Sequence, residues 1–387
     1  MKLIYDINDR PGLGKTIVFA FQQMIAIMAA TLLVPMIMTG YTNGAIKFDP
    51  AAALCGAGIG TLIYLLFTKR RSPVFLGSSF TFLGAYEAVL HANYGYWGVI
   101  IGIAFAGLVY VVLALIIKAT GSGWVNKLMP AVIIGPIVAL IGLSLSGTAT
   151  GWMSTNGGAD YSLLYILVGA CTFLAIVFAS IKGTKGMKLI PFIIGIVGAY
   201  IIALIFTFIG NAANIDALKL VNLSAFDNMQ IFKVPRFTFL GIFGAYEDAT
   251  NKIGSFFGGC PNTTYGESVG CVAITGNASI STIAIAAVYC IILSFFDPFV
   301  CFVNSIPSCI VGGVCIALYG FIAVSGLKML QPVDLNDNRN LFVVAAILVP
   351  GIGGLTLNFG AVTVSSIATG LILGIIINVL FNKRTAR

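Results

Sequence analysis

Long apolar stretches separated by short polar loops constrain this chain most strongly. A helix needs about 20 apolar residues to cross the hydrocarbon core of a bilayer. Such stretches lie at 16–38, 51–68, 96–118, 129–146, 161–181, 189–210, 280–297, 304–326, 341–357 and 361–381. Composition agrees, because 59% of the 387 residues are hydrophobic and only 9% are charged, against roughly a quarter charged in soluble domains. The sequence therefore predicts an all-α polytopic membrane protein.

Two further apolar stretches, 74–90 and 260–275, are interrupted by glycine, proline and polar residues. Irregular backbone at membrane depth is tolerated only where it lines a cavity or is buried in protein. Interruptions at corresponding places in two halves predict a binding site near the midplane, built from half-helices whose N-terminal amides face the ligand. The alternative is that the glycines and serines only allow neighbouring helices to approach closely.

Glu267 is the first candidate for a functional side chain. It ends the string Pro261-Asn262-Thr263-Thr264-Tyr265-Gly266-Glu267, inside one of the interrupted stretches. An ionisable group at membrane depth costs at least about 2.5 kcal/mol, so it persists mainly where it faces a cavity, pairs or binds something.

The positive charge of the chain follows membrane topology. The formal net charge is +8, and the basic residues lie mainly in short loops between the apolar stretches. With the N-terminus and the C-terminus in the cytoplasm, the basic clusters at 69–71 and 383–387 fall inside, as the positive-inside rule requires. Nucleic acid is therefore not expected as a partner. No cleavable signal is expected either, so the first helix stays in the protein.

Cysteine and histidine usage predicts no metal site and no cofactor. The eight cysteines form no C-x-x-C pair, and His91 is the only histidine. We interpret the cysteines as small packing residues and the chain as a transporter rather than an enzyme, because no catalytic set of side chains occurs in the spans. Asp297, which precedes Pro298 at the end of a span, is expected to be solvated.

Motifs along nearly the whole chain carry a family resemblance. They are Arg10-Pro11, Gln22, Ala29 to Pro35, Leu76 to Phe82, Gly121 to Trp124, Pro235 to Phe237, Pro261 to Glu267, Ile306-Pro307, Val311 to Gly313, Leu318 to Gly320 and Ser325-Gly326. The chain resembles the nucleobase/ascorbate transporter family, and within it the bacterial uracil permeases. The string Asn-Thr-Thr-Tyr-Gly-Glu is specific to the pyrimidine branch.

The resemblance implies one transmembrane transporter domain over residues 1–387, built from inverted repeats of seven helices and arranged as a core and a gate. Repeat one is expected at 1–210, an outer loop at 211–236 and an incomplete repeat two at 237–387. The two interrupted segments would form short antiparallel strands that meet at the substrate. A homodimer in the lipid bilayer of the bacterial cytoplasmic membrane is also implied.

The resemblance also assigns the substrate site. Backbone amides near Phe80 and Gly266 would bind the carbonyl oxygens of uracil or a related nucleobase, and Glu267 would accept hydrogen bonds from ring N–H groups. Ser79 and Thr264 add polar groups to this set. Phe80 and Tyr265 supply flat apolar walls. Glu267 is also the candidate for proton coupling, because desolvation of a carboxylate favours proton uptake.

The chain departs from the family between Phe237 and Pro261. There the family carries an eighth helix with a second substrate-binding carboxylate and then a ninth helix, whereas this chain has 23 residues, 238–260. At 1.5 Å per residue, 23 residues make at best one crossing of a core about 30 Å thick. A single crossing would place the segment after Glu267 on the wrong side of the membrane. Either this stretch does not cross at all, or about two helices are lacking from the chain. Glu247 is either a remnant of the missing carboxylate, with a role in proton coupling, or a loop residue.

A second departure is Gln23, because close relatives often have histidine there. The leading functional interpretation is proton-coupled transport of uracil or a related pyrimidine base. One alternative is a carrier of the same fold for a purine or other small solute. The other is a truncated or non-transporting family member, which the short interval at 238–260 favours.

Overall fold

A computed structural model of the protein describes residues 3–42, 46–91, 95–156, 158, 160–184, 186–235, 262–264, 268, 271–272, 275–359 and 363–381. The described helices are α1 (Leu13–Tyr41), α2 (Pro50–Phe67), α3 (Leu83–His91), α4 (Gly95–Thr120), α5 (Gly123–Leu128), α6 (Ala131–Ser144), α7 (Ser146–Thr155), α8 (Leu163–Ile181), α9 (Pro191–Ala213), α10 (Ile280–Ser294), α11 (Asp297–Ser305), α12 (Ser308–Leu330), α13 (Asn338–Ile352) and α14 (Ser366–Leu380). The described strands are β1 (Leu76–Ser78), β2 (Asn262–Thr264), β3 (Leu357–Asn358) and β4 (Thr363–Val364).

Seven helical stretches in the described part of the chain are long and apolar enough to cross a membrane. Three shorter apolar helices, α10, α13 and α14, accompany them. This confirms the prediction of an all-α polytopic membrane protein. The stretch Ile101–Thr120 of α4 is unusual, because it is strongly apolar and yet none of it is buried inside the protein.

The chain divides into two compact units, one formed by residues 1–101 and 152–314 and the other by 102–151 and 315–387. The boundaries fall within α4, α7 and α12. The division by sequence order into repeat one, outer loop and repeat two remains a prediction.

The first unit is held together by helices that approach closely at glycines. In it α2 packs against α1 and α10, and α8 packs against α9. At Gly313 on α12 an added Cβ would lie 2.3 Å from the carbonyl oxygen of Gly169 on α8. Such contacts let membrane helices gain van der Waals energy at short separation. A cluster of buried residues, including Val168, Ala203 and Ile310, fills the space between these helices.

The second unit packs α6, α13 and α14 together. Its core contains Ile133 and Leu140 from α6 and Val343 and Ile347 from α13, all fully buried. At the N-terminal end of α13, the guanidinium group of Arg339 donates a 2.8 Å hydrogen bond to the side-chain oxygen of Asn378 on α14.

Two predicted spans have different bounds in the structure. The span predicted at 304–326 begins at Ser308, because Pro307 disfavours helical backbone at the residue before it and Ile306 is extended, with φ −66° and ψ 123°. The short helix α11 precedes this break. The span predicted at 341–357 ends at Ile352, where Gly354, with φ +74°, turns the chain towards β3.

Candidate functional site

The two interrupted segments meet as an antiparallel pair of strands in the first unit. Leu76 of β1 lies opposite Thr264 of β2, and Ser78 lies opposite Asn262, with Gly77 and Thr263 between them. This confirms the expectation that the segments form short antiparallel strands. Because each strand has only three residues, the pair interrupts the helical layers over a short distance.

The register shows at which end of the strand pair the chain leaves each strand. Ser79 and Phe80 follow β1 at the end marked by Ser78 and Asn262, where a 3₁₀ turn over Phe80–Phe82 leads into α3. The chain leaves β2 at the opposite end, beside Leu76. The two ends of the pair are about 7 Å apart, because two steps of roughly 3.3 Å separate the first and third residues of each strand.

Several predicted site residues lie outside the described part of the chain. These are Tyr265, Gly266 and Glu267, together with the weaker proton-coupling candidate Glu247. The backbone of Thr264 is described as part of β2. The predicted roles of all these residues remain predictions.

Ser79 and Phe80 are both buried. Phe80 is 8% exposed and Ser79 is 1% exposed. The hydroxyl of Ser79 has no hydrogen-bond partner among the described residues. A buried hydroxyl without a partner costs about 1–3 kcal/mol, so the structure leaves a polar group at this position that a ligand can satisfy. The ring of Phe82, at the end of the 3₁₀ turn, stacks on that of Tyr86 on α3, with centroids 6.2 Å apart.

Thr61 on α2 holds the start of β1. Its hydroxyl donates to the carbonyl oxygen of Ala57 at 2.8 Å and accepts from the backbone N–H of Leu76 at 3.0 Å. Thr61 is fully buried. The hydroxyl therefore satisfies a strand N–H that has no helical partner at membrane depth, which is the condition under which irregular backbone is tolerated there.

Ser268, the residue after Glu267, is fixed from two sides. Its hydroxyl accepts a hydrogen bond from the side-chain amide of Gln23 on α1 and a 2.9 Å hydrogen bond from the backbone N–H of Phe75, just before β1. Ser268 and Phe75 are fully buried, and Gln23 is 3% exposed. The chain immediately beyond Glu267 is thus tied both to α1 and to the approach to β1.

These anchors were not predicted from the sequence. Gln23 stood out only as a departure from the family pattern, and neither Thr61 nor Ser268 carried a predicted role. The available signals were the position of Ser268 next to Glu267 and the presence of small hydroxyl residues within apolar spans. The pairing itself gave no local signal, because 245 residues separate Gln23 from Ser268.

Asp297 corrects another expectation, because it is 1% exposed rather than solvated. Its carboxylate accepts a 2.9 Å hydrogen bond from the backbone N–H of Gln230 and lies 3.6 Å from the ammonium group of Lys233. The backbone N–H of Lys233 also donates to the carbonyl oxygen of Phe295 at 3.0 Å. The end of the 211–236 loop therefore covers the start of α11, which the apolar pattern of the span did not indicate.

A cavity of about 840 Å³ lies beside this covered carboxylate. Its lining is mixed, and its polar and charged members include Lys47, Asp49, Asn156, Asn304 and Lys233. The cavity lies at the C-terminal end of α1 and the N-terminal end of α2, which is the outer side under the predicted orientation. A second, small apolar cavity lies between α1, α9, α11 and α12.

The described residues contain no group of three or more His, Cys, Asp or Glu side chains that could hold a metal ion. The described cysteines are unpaired: Cys55, Cys171, Cys271, Cys290, Cys301, Cys309 and Cys315. Six of these are buried and Cys171 is partly exposed. They occupy the positions of small packing residues.

Comparisons with known proteins show which family and which relatives this chain resembles. A family model described as "Permease family" matches residues 14–243 and 250–360. The chain is 34% identical to a uracil permease of Bacillus caldolyticus, covering 99% of this chain and 96% of the relative. It is 33% identical to a uracil permease of Bacillus subtilis (strain 168), over 98% and 95% of the two chains. A uracil permease of Escherichia coli (strain K12) is 30% identical over 97% and 93%.

The alignments also bear on the short interval at 238–260. The alignment with the Bacillus caldolyticus protein has 436 positions, 49 more than the 387 residues of this chain. At least 49 positions of that alignment therefore fall opposite gaps in this chain. The match to the family model is interrupted at 244–249, inside the same interval. The interruption of the family match lies in the interval where the sequence predicts that helices are lacking.

The family model covers most of the chain and relatives above 30% identity cover nearly all of it, which confirms the resemblance carried by the sequence motifs. This polytopic membrane protein belongs to the Permease family.

Proposed function

We propose that this protein carries uracil or a related pyrimidine base across the bacterial cytoplasmic membrane. The similar proteins named above are uracil permeases. The observation that carries the proposal is the antiparallel pairing of β1 and β2, which unites the two interrupted segments. Each segment contributes residues that the family resemblance assigns to a nucleobase.

The proposed contacts follow from the chemistry of uracil. One edge of the base alternates N–H donors and carbonyl acceptors. Glu267 accepts hydrogen bonds from ring N–H groups, and backbone amides near Phe80 and Gly266 donate to the carbonyl oxygens. The Ser79 hydroxyl, buried without a partner in the described chain, supplies a further polar contact.

Aromatic side chains form the proposed walls of the site. Phe80, at 8% exposure, provides a rigid aromatic surface beside the strand pair. Tyr265 would cover the other face of the ring, and Thr264 would contribute its hydroxyl at the end of β2. Aromatic walls with few convergent polar groups are the usual composition of small-molecule sites.

Coupling to protons rests on Glu267. A carboxylate that leaves water on substrate binding takes up a proton more readily, and hydrogen bonds to the base change this balance. Glu247 is the second proposed group, with a lesser role. In this proposal the N-terminus and the C-terminus lie in the cytoplasm, the cavity near Lys47 opens to the outside, and homodimers form in the bilayer.

The alternative function is a family member that binds substrate without transporting it, or does neither. The 49 alignment positions without a counterpart in this chain favour it. The resemblance places the second substrate-binding carboxylate within the missing helices, so this chain would bind its ligand with fewer contacts.

The test is uracil binding by the purified full chain, followed by uptake into proteoliposomes with an imposed pH gradient. Thermal shift and radiolabelled uracil report binding, and thymine, cytosine and xanthine serve as competitors. Binding together with gradient-driven uptake supports proton-coupled transport. Binding without uptake identifies the non-transporting member. Preference for xanthine identifies a purine carrier, and loss of every signal overturns the proposal.

A version with the eighth and ninth helices of a relative restored after Phe237 is the matched control. Binding that occurs only in the restored version means that the family site needs the missing carboxylate. Binding of equal affinity in both versions means that Glu267 and its neighbours suffice.

A further inference from the structure

The segment that precedes α1 runs beside the segment that precedes α10. The backbone N–H groups of Ile4 and Tyr5 both donate to the carbonyl oxygen of Gly276, at 2.7 and 3.1 Å. The N–H of Ala278 donates back to the carbonyl oxygen of Tyr5 at 2.9 Å. Tyr5 and Asn277 form a parallel bridge. We call residues 3–9 the N-terminal strap.

The contacts continue to the end of the strap. The N–H of Ile280 donates to the carbonyl oxygen of Ile7 at 3.2 Å, and the hydroxyl of Ser279 donates to the carbonyl oxygen of Asp9 at 2.7 Å. Ser279 is 1% exposed and Ile280 is 7% exposed. The strap therefore pairs with residues 276–280 along most of its length and lies over buried groups.

Gly276 is required where the strap begins. Its φ is +67°, and an added Cβ would lie 3.0 Å from Cγ1 of Ile4 and 3.3 Å from the backbone nitrogen of Ile4. Two causes disfavour any residue with a side chain at this position. The left-handed backbone strains such a residue, and the strap occupies the space that its Cβ needs.

Gly276 also ends the helical stretch that follows Glu267. The structure describes Ser268, Cys271, Val272 and Thr275 of this stretch, all helical, and we call it the binding half-helix. The N–H of Gly276 donates to the carbonyl oxygen of Val272 at 2.9 Å. The binding half-helix therefore meets Gln23 of α1 at its first described residue and the strap at its last turn.

The strap is itself attached to α1. The Tyr5 ring packs edge to face on Phe19, with centroids 6.2 Å apart, and the ammonium group of Lys15 donates to the Tyr5 hydroxyl at 3.2 Å. The side chains of Asp6 and Asp9 close a turn by accepting backbone N–H groups at 2.8 Å. One continuous piece of chain, the strap and α1, thus holds both ends of the binding half-helix.

We propose that the N-terminal strap is a positioning element of the substrate site, which keeps the binding half-helix in the orientation that presents Glu267 to the ligand. This inference rests on the proposed function, because Glu267 is taken as a ligand of the nucleobase. With the strap removed, the half-helix keeps its contact at Ser268 and pivots about it. Substrate binding must then restore the order that the strap supplies in advance, which weakens affinity.

The test compares the full chain with a variant that lacks residues 3–9 but keeps Met1 and Lys2, and with Gly276→Ala. The matched control is Gly354→Ala, because Gly354 also has a positive φ, +74°, but has nothing within 4 Å of an added Cβ. Uracil affinity is measured well below the lowest melting temperature, where every variant is folded. We expect affinity to fall about tenfold or more in the strap deletion and in Gly276→Ala, and to stay unchanged in Gly354→Ala.

Amide hydrogen exchange supplies a readout that needs no uracil. We expect faster exchange in the strap deletion at Ala278 and Ile280 and also at Cys271 and Val272, within the half-helix, with α8 unchanged. A strap that only adds stability would lower the melting temperature but leave uracil affinity and exchange at Cys271 and Val272 as they are, and that result overturns the inference. Should the full chain bind no uracil, the proposed function fails, and exchange within the half-helix still decides the role of the strap.

Discussion

The side-chain amide of Gln23 donates a hydrogen bond to the hydroxyl of Ser268, the residue that follows Glu267. Both side chains are buried. The same hydroxyl accepts the backbone N–H of Phe75, so one oxygen joins α1, the approach to β1 and the start of the binding half-helix. This arrangement makes the first helix part of the candidate site, although Gln23 is not itself assigned to the ligand.

Replacing Gln23 by alanine should weaken both the fold and the site. The lost hydrogen bond lowers the free energy of unfolding by about 1 kcal/mol, the order found for buried polar contacts between membrane helices. Uracil affinity should fall several-fold because the residue after Glu267 loses its attachment to α1. Thermal unfolding and radiolabelled uracil binding check the two effects.

The control for Gln23→Ala is Thr172→Val. Thr172 is fully buried, and its hydroxyl donates within its own helix to the carbonyl oxygen of Val168. This variant should change stability slightly and affinity not at all. Equal loss of affinity in both variants would show that Gln23 acts through general stability.

Glu267→Gln should abolish uracil binding and leave the protein folded. The change replaces a charged acceptor by an amide whose NH₂ group opposes the ring N–H donors, so we expect a loss of more than about 100-fold, or about 3 kcal/mol. Glu87→Gln on α3 is the matched control, since Glu87 is the other carboxylate near an interrupted segment and is only half-buried. Unchanged affinity in Glu267→Gln would remove the proposed site.

Ser79→Ala should separate affinity from stability. The Ser79 hydroxyl is buried without a partner in the described chain, so its removal should leave the ligand-free protein equally stable or more stable. If the hydroxyl contacts the base, uracil affinity falls by about 1 kcal/mol, or roughly fivefold. Thr61→Val serves as comparison, because that hydroxyl accepts the N–H of Leu76 and its loss should lower the melting temperature. A destabilised Ser79→Ala protein with normal affinity would contradict the assignment.

Two ion pairs should contribute differently to stability. We expect the more buried pair to contribute more, although its charged atoms are farther apart. Lys219 and Asp216 are 2.7 Å apart, but the Asp216 side chain is 93% exposed. Lys233 and Asp297 are 3.6 Å apart, and the Asp297 side chain is 2% exposed. Asp297→Ala removes the partner of the Gln230 N–H and of Lys233, so it should cost about 1–3 kcal/mol of unfolding free energy. Asp216→Ala should leave the melting temperature unchanged.

The pKa of Asp216 gives the sign of any pH dependence that its ion pair contributes to stability. The hydrogen bond from Lys219 lowers the pKa of the Asp216 carboxyl. Any stability that the pair contributes is therefore present above the ordinary carboxyl pKa and is lost as the pH falls through the lowered value. Melting temperatures of the full chain and of Asp216→Ala, measured from neutral to acidic pH, should coincide within error because the group is exposed. A melting temperature that is higher for the full chain than for Asp216→Ala at neutral pH, but not at acidic pH, would contradict this expectation.

The class of the protein and the pairing of the interrupted segments followed from the sequence, because apolar length and family motifs are local properties. Contacts between distant residues did not follow. Gln23 and Ser268 are 245 residues apart, and nothing in the neighbourhood of either residue encodes the other. Asp297 was expected in solvent because its own neighbours suggest a span end, whereas Gln230 and Lys233 bury it. The break before Ser308 was not predicted, because apolar residues on both sides of Pro307 made the span at 304–326 look continuous.

The stretch Ile101–Thr120 of α4 has no residue buried inside the protein, and this gives it a particular dependence on its solvent. Lipid acyl chains therefore cover most of the surface of this stretch. Long-chain detergents and native lipids can reproduce that solvation, whereas short-chain detergents leave gaps along the helix. The choice of detergent therefore affects α4 more than the buried helices. In short-chain detergent, α4 should be the first helix to lose its native structure.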